Sequence, residues 1–214
     1  MQNVDPHIAA TWLKGWCLAK GARPPVKIKD GYRVDLGWAD QHSRYLFPRI
    51  TPALHELAAA IHKPFVHLKV CDAPEKVTAA LPGEWRILSL GYMMELHGQM
   101  ASAKFHLPEG FVIEKLSSAT VPAIRILTLE GEEAASGRVA IIDNFAVYDS
   151  IAVSPAYRRK GLGSILMHYL QHMANDNNTD YGLLVATDDG KALYETLGWK
   201  LISLYTTAHI PFQG

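Results

Sequence analysis

VYDSIAVSPAYRRKGLGSILMHYLQHM occupies residues 147–173, and the rest of the chain is read outward from it. Tyr148, Ile151 and Val153 are strand formers, and Ser154-Pro155 ends the run. Three consecutive cations follow, Arg158, Arg159 and Lys160, leading into Gly161-Leu162-Gly163. Beyond them Leu162, Ile165, Leu166, Tyr169, Leu170 and Met173 recur at helical spacing, forming one face of a helix. The stretch therefore predicts strand, turn and helix. A glycine-rich turn at a helix start leaves backbone N–H groups free and lets an anion approach closely. With three positive side chains at the same end, the pattern suits a pyrophosphate.

Arg158-Arg159-Lys160-Gly161-Leu162-Gly163 resembles the cofactor motif of the GNAT superfamily, the acetyl-CoA-dependent N-acetyltransferases, whose signature is Arg/Gln-x-x-Gly-x-Gly/Ala between a strand and a helix. The preceding Ile151-Ala152-Val153-Ser154-Pro155-Ala156-Tyr157 is similar to that family as well. A phosphate loop of the Gly-x4-Gly-Lys-Ser/Thr type is excluded, because no Gly-Lys-Ser/Thr closes the turn. The resemblance covers roughly residues 110–210 of the 214. It implies an α/β fold with a mixed, mostly antiparallel central sheet flanked by helices. One departure is visible: the Lys115–Ala123 connection is too short for the family's usual pair of helices after the first strand.

Composition narrows the function class. Apolar residues make up 49% of the chain, so a sizeable core is expected and disorder is not. Formal net charge is zero, which argues against a general nucleic-acid binder. No apolar run reaches the roughly eighteen residues a membrane span needs, and the N-terminal MQNVDPHIAATWLKGW does not read as a signal peptide. Cys17 and Cys71 are too few for a disulfide framework, and the ten histidines lack a metal-ligand pattern. A cytoplasmic setting without a metal is the expectation, and a homodimer stays open.

Taken in order, the chain predicts a helix after Asp5-Pro6 ending at Gly21 and a hairpin of Val26–Ile28 with Tyr32–Leu36. Arg44–Phe47 reads as a short strand, Pro52–Ile61 as a helix, Phe65–Val70 as a strand and Glu75–Leu81 as a helix. Trp85–Leu90 and Tyr92–Leu96 read as two strands. A second unit is expected from about residue 99. It has strands at Phe111–Lys115 and Ala123–Leu129, then a hairpin of Ala134–Ile142 with Phe145–Val153. The helix from Gly163, a strand at Tyr181–Ala186 and a helix at Gly190–Leu197 follow, and Lys200–Leu204 and Thr206–Ile210 close the order. The domains are then 1–98, an N-terminal α/β lobe, and 99–214, the acetyltransferase domain. Sliding the chain by 114 positions lays Trp85-Arg86-Ile87-Leu88-Ser89-Leu90 on Trp199-Lys200-Leu201-Ile202-Ser203-Leu204. The order of elements agrees in both halves, so the first lobe is read as a degenerate copy of the second. Arg44–Arg49, which falls on the cofactor turn, contains no glycine.

Acyl transfer from a thioester to an amine needs the cofactor held, a donor for the developing oxyanion, a base for the amine and a proton for the thiolate. The backbone N–H groups of Arg159, Lys160, Gly161, Leu162, Gly163 and Ser164 are the expected phosphate cradle, with Arg158 beside them; the Ser164 side chain either caps the helix or touches phosphate. The resemblance implies that the backbone of Ile151, Ala152 and Val153 holds the pantetheine arm. It also implies that Tyr194, in Ala192-Leu193-Tyr194-Glu195-Thr196-Leu197-Gly198-Trp199, stands beside the sulfur as the acid. Val185–Gly190 lacks the Asn of many relatives, so no such contact is carried over. Strand parity puts Val147, Asp149 and Ile151 on one face, and Asp149 is the expected base; Glu132, Glu133 and Asp143 are weaker choices that suit turns. Asp188 and Asp189 fit helix capping better than a cationic acceptor. The expected reaction is transfer of acetyl from acetyl-CoA to a primary amine, on a small molecule or a protein, by direct attack in a ternary complex. The alternative is a non-catalytic acyl-CoA-binding module with a regulatory or interaction role.

Overall fold

A computed structural model of the protein describes residues 4–101 and 106–212. In chain order the elements are α1 (Pro6–Lys20), β1 (Val26–Ile28), β2 (Gly31–Asp35), β3 (Ser43–Phe47), α2 (Pro52–Ala60), β4 (Val66–Val70), α3 (Pro74–Ala80), β5 (Arg86–His97), β6 (Phe111–Leu116), β7 (Ala123–Thr128), β8 (Glu133–Ile142), β9 (Phe145–Val153), a 3-10 turn (Pro155–Tyr157), α4 (Leu162–Asn175), β10 (Tyr181–Ala186), α5 (Asp188–Thr196) and β11 (Lys200–His209). Among the described residues no helix is long and apolar enough to cross a membrane. The chain divides into two compact units. One holds Met1–Met94, Val185–Asp188 and Leu201–Gly214, and the other holds Glu95–Leu184 and Asp189–Lys200.

In the first unit α1 starts at Asp5, whose carboxylate accepts from the His7 N–H at 2.7 Å, and stops at Gly21 in the left-handed conformation. Strands β1, β2 and β3 pair antiparallel, β3 and β4 pair parallel, and β11 pairs antiparallel with β4. One face of this sheet is apolar throughout. Phe47, Leu54, Ala58, Val66, Leu68, Val70, Val77 and Ala208 form its core with α2 and α3. Trp85 closes that core and donates its indole N–H to the Ala58 carbonyl at 3.1 Å.

In the second unit β6, β7, β8 and β9 pair antiparallel, and β9 and β10 pair parallel. Helix α4 buries Leu162, Ile165, Leu166, Met167, Leu170 and Ala174. Tyr169 and Met173, expected on that face, are only half-buried. Residues 117–122 form no helix, as the short connection implied. In chain order both halves of the sequence thus run through antiparallel strands, a helix crossing to a parallel strand, a second helix and a final long strand. The mixed, mostly antiparallel arrangement flanked by helices is the fold that the sequence predicted.

Two expectations change. Arg86–His97 is one strand, not two, because Gly91 continues it. A Cβ on Gly91 would sit 2.8 Å from Val185 Cγ1 and 3.2 Å from the Ala186 carbonyl, so this glycine marks a close backbone approach and not a turn. Lys200–His209 is likewise one strand running through Tyr205. Its pairing with β4 spans more than a hundred residues of sequence and left no local signal.

Burial separates two residues that hydrophobicity alone does not. Phe47 is fully buried while Leu129 is 70% exposed. Phe47→Ala should cost about 3–5 kcal/mol of unfolding free energy and Leu129→Ala less than about 0.5 kcal/mol, as measured by urea denaturation.

Candidate functional site

Helix α4 begins at Gly161, which has φ 76° and therefore favours a residue without a side chain. No side chain caps this helix, so Ser164 does not take the capping role left open for it. Arg159 is also left-handed, at φ 62°, so two such residues flank Lys160. Alternating handedness of this kind turns successive N–H groups toward one point. A Cβ on Gly161 would meet nothing within 4 Å, so the space in front of the helix start is open. Uncapped N–H groups, the positive end of a 14-residue helix and three cations in series suit a pyrophosphate.

The cations are not equivalent. Arg158 lies 3.8 Å from Asp189, with both side chains mostly exposed, so this contact contributes little. Lys160 leans over the rings of Phe111 and Tyr157, at 5.5 and 5.7 Å. Tyr157 in turn donates to Glu132. Arg159 is exposed. Asp188 accepts from the Tyr92 hydroxyl at 2.6 Å.

The two glycines of the turn do different work. Sequence reading gave both to close approach of a phosphate. Gly161 fits that role, but a Cβ on Gly163 would come within 2.9 Å of Leu193 Cδ2 and 3.6 Å of Val153 Cγ2. Gly163 is the point where the end of β9, the start of α4 and the middle of α5 meet. Leu162 is 1% exposed, so its side chain belongs to the core and only its backbone is available to a ligand.

Strand β9 is registered with β10 only over Phe145–Val147, opposite Tyr181–Leu183. Both strands run on, β9 to Val153 and β10 to Ala186. Beyond Val147 the edge of β9 that faced β10 is therefore open to an added strand. On its other edge the register passes from Ser136↔Ala152 to Arg138↔Asp149, so Gly137 opposes both Ser150 and Ile151. This is a β-bulge on β9, with Ser150 at φ 55°. It breaks the parity used to place Val147, Asp149 and Ile151 on one face. The Ile151 side chain instead lies over Gly137, where a Cβ would come within 2.6 Å of Ile151 Cδ1 and 3.1 Å of Leu170 Cδ1. Ala152 is exposed and Val153 half-buried at the open edge. Nothing in the period-two pattern announced the bulge.

Asp149 is half-buried and accepts from the Ser150 hydroxyl at 2.6 Å. Tyr194 on α5 is buried, with its ring 6.1 Å from Trp199. Trp199 also meets Tyr148 edge-on at 5.2 Å, so it sits between β9 and α5. Burial pushes the Tyr194 phenol up to about 12, and the charge of Asp149 adds to the effect. The structure thus brings Tyr194 and Asp149 within electrostatic reach of each other. The bridging position of Trp199 was not read from the sequence.

Helix α2 occupies in the first unit the place that α4 occupies in the second, between parallel strands. Its start is closed. Thr51 caps it, accepting from the Leu54 N–H at 3.4 Å, and Pro52 supplies no N–H.

Residues 122–201 match the family model of the acetyltransferase (GNAT) domain. The matched stretch takes in the turn whose sequence resembled that family. No curated protein matches the chain. The whole chain shares its fold with a GCN5-related N-acetyltransferase from Kribbella flavida, at 16% identity and TM-score 0.67, covering 100% of this chain and 98% of that one. It is similar to a GCN5-related N-acetyltransferase from Sphaerobacter thermophilus, at 10% identity and TM-score 0.60, covering 100% and 96%. A tandem GNAT protein from the clavulanic acid biosynthesis pathway matches at 12% identity and TM-score 0.58, covering 100% and 98%.

The two glycines separate stability from ligand contact. Gly163→Ala should lower stability by about 1–3 kcal/mol through overpacking against Leu193. Gly161→Asp places a carboxylate in the open space before the helix. It should weaken binding of a phosphate-bearing ligand at least tenfold while the fold persists, as read by calorimetry and thermal unfolding.

Proposed function

We propose that the protein is an N-acetyltransferase that moves an acetyl group from acetyl-CoA to a primary amine by direct attack in a ternary complex. The observation that carries this reading is the uncapped, left-handed start of α4 beside the open edge of β9. The N–H groups of Arg159 to Ser164, with Arg158, Arg159 and Lys160, would hold the cofactor's phosphates. The backbone of Ile151, Ala152 and Val153 would pair with its pantetheine arm as an added strand, and a strand N–H would donate to the developing oxyanion.

Asp149 is the base in this reading, directly or through water, with the Ser150 hydroxyl steadying its charge. Tyr194 stands on the thiolate side. Its phenol lies near 12, against about 8.5 for an ordinary thiol, so complete proton transfer would be uphill by about 5 kcal/mol. Tyr194 is therefore suited to donate a hydrogen bond to the departing sulfur without giving up its proton. The proton released by the attacking amine is then the one that neutralises the thiolate. The acceptor is an amine on a small molecule or a protein. A cytoplasmic location and a homodimer are compatible with this reading and are not required by it.

Calorimetric titration with acetyl-CoA should show micromolar binding that Gly161→Asp and Arg158→Glu both weaken. Absence of binding by folded wild-type protein would overturn the reading, whereas binding without turnover across an amine library would identify a non-catalytic acyl-CoA-binding module. Once an acceptor is known, Asp149→Asn should lower kcat by roughly 10²–10⁴, and Tyr194→Phe should lower kcat with little change in the KM for acetyl-CoA. Because the raised pKa of Tyr194 keeps it protonated far above neutrality, the rate should show no alkaline fall from its ionisation below about pH 11. A Tyr-dependent fall near pH 9 would contradict the buried position.

A further inference from the structure

Helix α5 ends in a backbone device that fixes the residue after it. Gly198 is left-handed at φ 90°. The Gly198 N–H donates to the Glu195 carbonyl at 3.1 Å and the Trp199 N–H to the Tyr194 carbonyl at 3.0 Å. This is the bonding of a Schellman end, and it folds the chain back under the last turn of the helix. Trp199 is thereby tied to Tyr194 twice, through that hydrogen bond and through rings 6.1 Å apart. The residue is 3% exposed.

The other contacts of the indole lie where β9 and β10 part. Gly182 is registered with Ala146, one pair before the last, Leu183↔Val147. Parallel partners share a face, so a side chain at 182 would stand beside Ala146, and Tyr148 is the next residue of β9 on that face. The indole takes this room instead: a Cβ on Gly182 would come within 2.7 Å of Trp199 Cη2 and 3.2 Å of its Cζ2. Tyr148 meets the same ring edge-on, with the ring centres 5.2 Å apart. One ring thus touches β10 within the registered pairs, β9 at the first residue beyond them, and α5. In the first half of the chain Trp85 is anchored by its N–H on the Ala58 carbonyl at 3.1 Å. The buried N–H of Trp199 has no partner among the described residues, so shape holds this ring in place.

We propose that Trp199 is a positioning residue, whose ring keeps β9 apart from β10 beyond Val147 and holds Tyr194 beside the strand that bears Asp149. Peptide groups on neighbouring strands pair when nothing separates them, because unpaired ones are costly once buried. An indole lodged on Gly182 and against Tyr148 prevents that closure. The consequence for a ligand rests on the acetyl-CoA reading, in which the opened edge of β9 receives the pantetheine arm; the separation of the strands does not.

The test is hydrogen exchange of the full chain without ligand, followed by calorimetry with acetyl-CoA. Trp199→Leu should let β9 close on β10, so the amides of residues 148–153 that point away from β8 should exchange roughly tenfold more slowly than in the wild type. A residue that served stability alone would give faster exchange there, so the direction of the change separates the two roles. Trp199→Phe keeps an aromatic ring and gives up the unpartnered N–H, and it should exchange as the wild type does. Trp199→Leu should also bind acetyl-CoA roughly tenfold more weakly, about the worth of one hydrogen bond, and Trp199→Phe should restore the affinity. Trp199→Met makes the same comparison if Trp199→Leu does not fold. Unchanged or faster exchange in the truncated variant overturns the proposal, and so does undiminished binding by that variant where the wild type binds. A wild type that binds no acetyl-CoA overturns the acetyltransferase reading instead, and the exchange result then decides the role of the ring.

Discussion

Strand β9 keeps β10 as a neighbour for three residues and then leaves it. That separation is the constraint on which the candidate site depends. A strand edge with backbone donors and acceptors is normally paired or covered, because unsatisfied peptide groups are costly. Here the far edge of β9 is held by β8 through a bulge, while the near edge opens toward the start of α4. The bulge at Ser150 and the glycine opposite it let β9 bend without losing its partner. At the end of the opened stretch, Gly163 lets α4, β9 and α5 meet at van der Waals distance. The same close packing brings Tyr194 and Asp149 into electrostatic reach.

The two halves of the chain run through the same order of strands and helices, yet they differ where a helix follows a strand into the parallel pair. In the second unit the helix begins with a left-handed glycine and keeps its first N–H groups uncapped. In the first, Thr51 and Pro52 close the corresponding end. The positive end of a helix attracts anions only where its N–H groups remain available. One fold path thus yields an anion-ready helix start in one unit and a capped structural helix in the other.

Most elements were legible in the sequence because their signals are local. Asp5-Pro6 and Gly21 bound α1, the left-handed Asp30 turns the first hairpin, and the Arg158–Gly163 turn announces α4. Residue types with chemical meaning were equally visible: the cation run, the two turn glycines, Asp149 and Tyr194. Patterns of this kind act over a few residues, through backbone sterics and side-chain periodicity.

What the sequence by itself determined is the order of elements, the class of fold and the position of the glycine-rich turn before α4. Only the tertiary structure decided that Gly163 serves packing and Gly161 serves open space, since neighbours far apart in sequence distinguish them. It alone brought β11 against β4, and it alone showed Gly91 and Tyr205 inside continuous strands. The bulge that redirects Ile151 and the bridging of Tyr148 and Tyr194 by Trp199 belong with these. Each depends on which surfaces meet once the chain is compact, and a period-two or helical repeat carries no record of those meetings.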